Sequence, residues 1–274
     1  MLASLILTLR EGMEAALVIG IILGVLRKVG RQDLIPSVWV AAVAAVGVSL
    51  GVALGLNWLK AEFKGSGEQL FEGGTMILAA GSMTWMVFWM HGQAAELKHK
   101  VEMGIHRAST GCWVLFFLAF LAVVREGIEL VVFLLAARLA SDPLQELFGA
   151  AIGLGLVFLL AWLIMTSSRR LNLVRFFQVT DVLLGVFSAG LVGMGIGEFN
   201  ELGWIPSGIE HVWSLNTFLP DTSIVGQLLH ALVGYSSSPS LSQVMAYAIY
   251  VAVLCGVLLL RHFPALFHTP VVKQ

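Results

Sequence analysis

The sequence predicts an all-α, polytopic membrane protein in which seven transmembrane helices cross the bilayer. Three observations support this prediction. Apolar residues make up 58% of the 274 residues and charged residues only 12%, which is too apolar for an ordinary soluble domain. The apolar residues form seven runs, each long enough to provide the roughly 20 residues that cross the hydrocarbon core. A short charged motif, Arg-Glu-Gly-x-Glu, occurs twice, both times inside such a run.

The seven runs define a single transmembrane domain, 1–274, with one long loop between helices. The predicted spans are 2–26, 34–59, 70–95, 112–137, 147–168, 176–197 and 241–260. The first run has no basic residue before Arg10, unlike a secretory signal peptide, so we expect it to remain as the first helix. The outer loop, 198–240, is the longest segment between spans, and its stretch 224–235 is apolar enough for a short interfacial or re-entrant helix.

The first span carries Arg10, Glu11 and Glu14 near its centre. At 1.5 Å of rise per residue, Glu11 lies roughly 14 Å along its helix, close to the bilayer midplane. A charge at that depth costs about 2.5–3.5 kcal/mol even on the lenient insertion scale. Residues three apart share a helix face, so Glu11 and Glu14 point in the same direction. The pattern therefore indicates a polar site on the path of an ion or substrate.

The fourth span repeats the motif as Arg125, Glu126 and Glu129. If the two helices face each other, four carboxylates converge on one point. The glycine inside each motif removes side-chain bulk, and we expect it to let the motif helices approach closely. The alternative is that each arginine neutralises its own glutamate and the motif only holds helices together. Each copy, however, has two carboxylates and one arginine, so one negative charge in each copy is not neutralised.

The third and sixth spans each carry one further carboxylate, Glu72 and Asp181. The segments 69–81 and 178–190 align with Gln69 opposite Gln178 and Glu72 opposite Asp181. We expect Glu72 near the outer end of span three and Asp181 near the inner end of span six, as mirror-related carboxylates at the two mouths of a path. The alternative is that both are ordinary interfacial acids.

The third span also places four methionines on one helical face, namely Met76, Met83, Met86 and Met90. Soft sulfur ligands suit copper(I). Such a stripe is more typical of adaptable packing, and packing is what we expect here.

Lysines and arginines outside the spans lie mainly on one side of the predicted membrane. Eleven fall in the C-terminal tail and in the loops after spans one, three and five, and three fall on the opposite side. The positive-inside rule then puts the C-terminus in the cytoplasm and the N-terminus outside. Spans one and four therefore run in opposite directions, as in an inverted repeat that binds its substrate at the midplane. We expect repeat one at about 1–97, repeat two at about 108–200, and the seventh helix, 241–260, as an addition.

The composition excludes several classes of function. A net charge of −1 argues against nucleic acid as a partner. The two cysteines lie inside apolar runs, which excludes a disulfide framework and a thiolate metal cluster. No nucleotide-binding P-loop occurs, and both copies of the motif carry glutamate where the Glu-x-x-His pair of a di-iron enzyme carries histidine. We therefore expect neither an enzyme nor a bound cofactor.

The doubled Arg-Glu-Gly-x-Glu motif in spans one and four resembles the signature of the oxidase-dependent iron transporter family, and in particular its bacterial branch, the EfeU-type iron permeases. The resemblance extends to Phe71-Glu72-Gly73, to 84–90 and to Gly234-Tyr235 ahead of Pro239. It implies high-affinity uptake of iron ions across the cell inner membrane. It also implies a periplasmic iron-binding partner and an oxidase or peroxidase partner.

Two kinds of transport remain open on the residues themselves. Carboxylate oxygens suit hard and borderline cations, so chemistry alone does not choose among iron(III), iron(II), manganese(II) and calcium. Within the resemblance, Glu11, Glu14, Glu126, Glu129, Glu72 and Asp181 are the candidate metal-binding residues, with Arg10 and Arg125 as supporting counter-charges. The alternative is a proton-coupled permease for another metal cation, such as manganese(II) or iron(II), that uses the same acids as a relay.

Overall fold

The computed structural model describes residues 1–89, 112–139, 143–166, 173–216, 218–221 and 223–262. Within these ranges the chain forms α-helices and one 3-10 turn, and no strand. The elements are α1 Leu2–Val29, the turn Gln32–Leu34, α2 Ile35–Glu62, α3 Ser66–Trp89, α4 Cys112–Leu139, α5 Pro143–Thr166, α6 Leu173–Glu201, α7 Ile224–Val233 and α8 Leu241–His262. The all-α prediction is confirmed for this part of the chain.

Each predicted span coincides with a helix, and the helices extend a few residues beyond most of the predicted ends. The short helix expected within the outer loop is α7. Residues 90–95 of the third predicted span, Met90 among them, lie outside the described residues. So do six of the lysines and arginines on which the predicted orientation depends, at positions 98, 100, 107, 169, 170 and 273.

Within the described ranges, four helices are long and apolar enough to cross a membrane on length and composition, namely α2, α5, α6 and α8. The helices α1 and α4 have 28 residues each, but both carry three charged residues near their centres. Seven membrane-spanning helices therefore remain a prediction, of which four have direct support.

Local sequence explains several helix ends. Gly30 ends α1 in the left-handed conformation, with φ of 77°, and its N–H donates to the carbonyl oxygens of Arg27 and Leu26. Ser223 begins α7, since its side chain accepts a hydrogen bond from the Gly226 N–H at 2.9 Å. Gly234 ends α7, again left-handed with φ of 69°.

The helices pack in a regular pairing. The three most extensive interfaces are α3 with α6, α2 with α4, and α1 with α5, followed by the crossing of α1 and α4. The helices α7 and α8 pack mainly on α6. The two motif helices are thus neighbours near the centre of the bundle.

Two apolar clusters lie on either side of the charged motif. One joins the start of α1, including Leu7, to α3, α6 and the end of α4, including Phe133. The other joins the end of α1, including Ile22, to α2 and the start of α4, including Leu115. The charged residues 10–14 fall between these clusters along α1.

The motif glycines permit close approach, but not between the two motif helices. A Cβ on Gly12 would lie 2.6 Å from Cγ2 of Val157 on α5, and one on Gly127 would overlap the Ser49 hydroxyl on α2. The expectation that these glycines bring α1 and α4 together is therefore wrong, because each glycine contacts a different helix. They seat α1 on α5 and α4 on α2, which orients the carboxylates of each motif toward the other motif helix.

A second close approach joins α7 to the middle of α6. A Cβ on Gly190 would lie 2.5 Å from the backbone nitrogen of Gly234. Because the Gly234 backbone meets α6 eleven residues before the end of that helix, α7 lies alongside α6 and not beyond its tip. Of the two arrangements expected for this segment, the contact favours a re-entrant one.

Candidate metal centre

Three of the four motif glutamates gather at the crossing of α1 and α4. Glu11, Glu126 and Glu129 each offer one carboxylate oxygen, and these three oxygens all lie within 4.8 Å of one another. Glu11 is 1% exposed and Glu126 is 8% exposed, so two of the three are buried. Oxygens this close together, supplied by two helices, form a set that one cation can bridge.

The unsatisfied oxygens of these carboxylates strengthen that interpretation. Oε2 of Glu11, Glu126 and Glu129 is buried and, among the described residues, has no hydrogen-bond partner. Burying an ionised carboxylate without a partner is costly. A bound cation would satisfy the oxygens that the protein itself leaves unsatisfied.

Arg10 crosses the centre and is 0% exposed. Its Nη1 lies 3.2 Å from Glu11 Oε1 and 3.3 Å from Glu14 Oε1, and its Nη2 lies 2.9 Å from Asp181 Oδ1. The same Nη1 donates to Met86 Sδ at 2.6 Å. Arg10 therefore connects α1 to α3 and α6 as well as to the carboxylates on its own helix.

Glu14 is the fourth motif glutamate and lies beside Arg10. The structure brings it near the cluster through this ion pair, but its oxygens are not among the three that approach within 4.8 Å. Its direct role in the described structure is to pair with Arg10.

Arg125 has a different environment from Arg10. Its Nε lies 2.8 Å from Glu129 Oε1, one turn along α4, and its side chain is 40% exposed. Glu129 is 18% exposed. The centre is thus fully enclosed around Arg10 and partly open around Arg125.

The two carboxylates predicted for the mouths have different partners. Asp181 pairs with Arg10, and its side chain is 11% exposed, so it belongs to the network around the centre. Glu72 lies away from the centre, where its Oε1 is 2.9 Å from Nζ of Lys60, a residue in the last turn of α2. The structure brings Asp181 into the site and leaves Glu72 outside it.

The charges at the centre do not cancel. Glu11, Glu14, Glu126, Glu129 and Asp181 are five carboxylates, and only Arg10 and Arg125 among the residues described here pair with them. The fully ionised set carries three excess negative charges. A cation of two or three positive charges is what such an excess attracts.

Sequence reasoning missed two contacts of the site. Met86 was expected to be packing; it is buried with Met76 and Met83, and it also accepts the Arg10 hydrogen bond. Lys60 was not singled out as a partner for Glu72. The methionine stripe was a signal that Met86 faces other residues. Because the Arg10–Met86 and Lys60–Glu72 contacts each join two helices, spacing within one helix could not identify them.

Comparison with known proteins identifies relatives over nearly the whole chain. The iron permease FTR1 family matches residues 1–268. The ferrous iron permease EfeU of Escherichia coli O6:K15:H31 (strain 536 / UPEC) is 33% identical over 254 residues, covering 91% of this chain and 92% of that protein. The protein of the same name from Shigella sonnei (strain Ss046) gives the same figures, 33%, 91% and 92%. That from Yersinia pestis is 32% identical and covers 91% and 90%. None of the solved structures matches this chain.

Proposed function

Because this chain belongs to the iron permease FTR1 family, we propose that it imports iron(II) across the cytoplasmic membrane through the carboxylate site between α1 and α4. The chain is a membrane-integral transporter and not an enzyme, since its family and its relatives are permeases. The relatives compared above are called ferrous iron permeases, which favours iron(II) as the cargo.

One observation carries the site assignment. Glu11, Glu126 and Glu129 offer three carboxylate oxygens within 4.8 Å of one another, and Oε2 of each is buried without a hydrogen-bond partner among the described residues. Oxygen ligands of this kind suit hard and borderline cations, iron among them. In this proposal the three glutamates bind the ion, and iron is the transported substrate rather than a resident cofactor.

The arginines act as internal counter-charges in this proposal. Arg10, in contact with Glu11 and Glu14, stabilises the buried carboxylates when no ion is bound. Arg125 does the same for Glu129. Glu14 serves the site by holding Arg10, and it becomes a further ligand when Arg10 withdraws.

The helix pairing supports an inverted repeat of α1–α3 and α4–α6, with α8 as the added helix. In such a repeat, α1 corresponds to α4, α2 to α5 and α3 to α6. The α1–α5 interface then corresponds to the α4–α2 interface, while the α3–α6 and α1–α4 interfaces each correspond to themselves. The contact of Gly12 with Val157 likewise becomes the contact of Gly127 with Ser49. In this architecture the ion site lies where the two halves meet, at the midplane.

The proposed orientation and partners follow from the sequence. We place the N-terminus outside and the C-terminus in the cytoplasm, which puts Glu72 and the loop after α6 on the outer side. A periplasmic iron-binding protein and an oxidase or peroxidase are the proposed partners that deliver iron there. A reporter fused after Gln274 that fluoresces only in the cytoplasm should be active, whereas a periplasm-dependent phosphatase at the same place should not.

A second candidate function is proton-coupled transport of another divalent cation. Carboxylate oxygens also suit manganese(II). An excess of unlabelled manganese(II) that abolishes iron(II) uptake, together with faster manganese(II) uptake, would favour this candidate.

The test is iron uptake by the purified full-length chain in proteoliposomes. Under anaerobic, reducing conditions we expect saturable uptake of radiolabelled iron(II), reduced about tenfold or more in Glu126→Gln because the amide keeps the volume but loses the charge. Glu62→Gln is the matched control, since Glu62 is an exposed glutamate at the end of α2. Equal uptake by wild type and Glu126→Gln would overturn the proposed site.

A further inference from the structure

The ion pair between Arg10 and Asp181 joins the two halves of the bundle across the candidate site. Arg10 belongs to α1 and Asp181 to α6, and Nη2 of the arginine lies 2.9 Å from Oδ1 of the aspartate. Met86 on α3 holds the other guanidinium nitrogen at 2.6 Å. The guanidinium is therefore fixed from two further helices, while it also contacts Glu11 and Glu14.

The two ends of the site differ in accessibility. On the side of Asp181, Arg10 is 0% exposed and Asp181 is 11% exposed. In the second motif, Arg125 is 40% exposed and Glu129 is 18% exposed. Glu72, which the sequence alignment places opposite Asp181, is held by Lys60 at 2.9 Å. The carboxylate centre is thus sealed toward Asp181 and partly open toward Arg125.

The proposed repeat relates these two ends to each other. The alignment that pairs the two motifs places Arg10 opposite Arg125, and the alignment of 69–81 with 178–190 places Asp181 opposite Glu72. The two halves of the molecule therefore hold equivalent residues in different environments. This is the asymmetry expected of a transporter that is open on one side only.

From this asymmetry, and resting on the transport function proposed above, we infer that Asp181 is the positioning residue of a latch. It holds Arg10 across the carboxylate site and so closes the path on the Asp181 side. In the opposite state Glu72 holds Arg125, and the path closes on the Glu72 side. The structure represents the state that is open toward Glu72.

Electrostatics links the latch to the cargo. A cation between Glu11, Glu126 and Glu129 neutralises the carboxylates that attract Arg10, and it repels the guanidinium. Arg10 then keeps its contacts with Asp181 and Met86 but loses the attraction of Glu11 and Glu14, which weakens the closure on that side. When no ion is bound, Arg10 occupies the centre and the path stays closed on the Asp181 side.

The test measures the accessibility of α6 with and without the latch. Cys112 and Cys255 are replaced by serine, and Leu184→Cys is introduced as a reporter, because Leu184 is 1% exposed and lies one turn from Asp181. Its labelling by a membrane-impermeant maleimide is timed in vesicles that present the Asp181 side. Thr75→Cys, at the repeat-related position of α3, reports on the other side.

We expect Asp181→Asn to raise the labelling rate of Leu184→Cys about tenfold, because loss of one charged partner shifts the population toward the state open on that side. Labelling of Thr75→Cys should fall in the same variant. Asp181→Glu, which keeps the charge, should restore both rates. Glu72→Gln should shift both reporters in the opposite direction.

Asp33→Asn is the matched control, since it removes the aspartate from an exposed arginine pair, Arg31 with Asp33 at 3.2 Å. Unchanged labelling of Leu184→Cys in Asp181→Asn would overturn the latch, and so would an equal change in Asp33→Asn. The labelling experiment needs no iron, so it tests the latch independently of the cargo. If the labelling rates change as expected but the chain does not transport iron(II), the proposed cargo is wrong and the latch is still supported.

Discussion

Glu11, Glu126 and Glu129 differ from Glu14 in where their oxygens lie. The first three converge within 4.8 Å, whereas Glu14 pairs with Arg10 at 3.3 Å. Loss of any of the four charges should nevertheless impair uptake, for two different physical reasons. In the proposed site the three converging glutamates are direct ligands, and Glu14 keeps Arg10 in place.

The first prediction is that Glu→Gln at each of these four positions reduces iron(II) uptake about tenfold or more, since each amide removes a negative charge. Glu→Asp at Glu11, Glu126 and Glu129 should lose most of the uptake, because the shorter side chain withdraws the charge by one methylene. Uptake into proteoliposomes measures both series. Normal transport by Glu126→Gln and Glu129→Gln, with inactive α1 variants, would show that the two motifs do not share a site.

The two arginines should respond differently to replacement by lysine. Arg10 contacts three carboxylates and a thioether and is fully buried, while Arg125 pairs with Glu129 and is 40% exposed. An ammonium cannot reproduce the planar guanidinium fork. We therefore predict that Arg10→Lys destabilises the protein by about 2 kcal/mol or more and that Arg125→Lys costs less.

Thermal unfolding of the purified variants in detergent checks this order, with Arg31→Lys as an exposed control. Equal losses for Arg10→Lys and Arg125→Lys would mean that the enclosure of Arg10 contributes nothing to stability.

The candidate site residues could be selected from the sequence, but their partners could not. Charges at the centre of an apolar run, repeated in a second run, selected Glu11 and Glu126 as site residues. The pairing of Arg10 with Asp181 joins residues 171 positions apart, and that of Arg10 with Met86 joins residues 76 apart. Such contacts depend on which helix packs against which, and spacing within one helix carries no information about that.

At the level of helices, the close backbone approach between α6 and α7 makes a prediction of its own. A Cβ on Gly190 would meet backbone atoms of Val233 and Gly234, which cannot move aside as a flexible side chain can. Gly190→Ala should therefore displace α7 from α6 and destabilise the protein by about 1–3 kcal/mol. Thermal unfolding measures the loss.

Gly81→Ala is the matched control for Gly190→Ala. Gly81 occupies the aligned position of α3, and a Cβ there would meet nothing within 4 Å. If both alanine variants unfold at the same temperature, α7 does not depend on this contact.

Helix ends were predictable from hydrophobicity, but helix pairing was not. The predicted ends of the fourth span, 112–137, differ from those of α4 by two residues at most, because apolar runs and their polar flanks define where a helix can lie. The glycines of the motifs were expected to serve the α1–α4 contact. They serve α1–α5 and α2–α4 instead, since a small residue shows that something approaches closely but not what approaches.

At the scale of the molecule, the duplicated, inverted architecture stays a prediction from the sequence, and the proposed repeat is consistent with the helix contacts. The pairs α1–α5 and α2–α4 correspond under exchange of the halves, although their sequences share little beyond small residues at the contact. The sequence could not predict that the two halves hold equivalent residues differently. Arg10 and Arg125 share the motif Arg-Glu-Gly-x-Glu, so the motif itself does not account for their different burial.

The central claim is that iron binds where α1 crosses α4. Anomalous scattering at the iron edge, from the full-length chain crystallised anaerobically with iron(II), tests it most directly. We predict one strong peak within coordination distance of Glu11, Glu126 and Glu129, which disappears in Glu126→Gln. A peak beside Glu72 alone, with the Arg10 guanidinium still in contact with Glu11 and Glu14 in the same crystal, would contradict it.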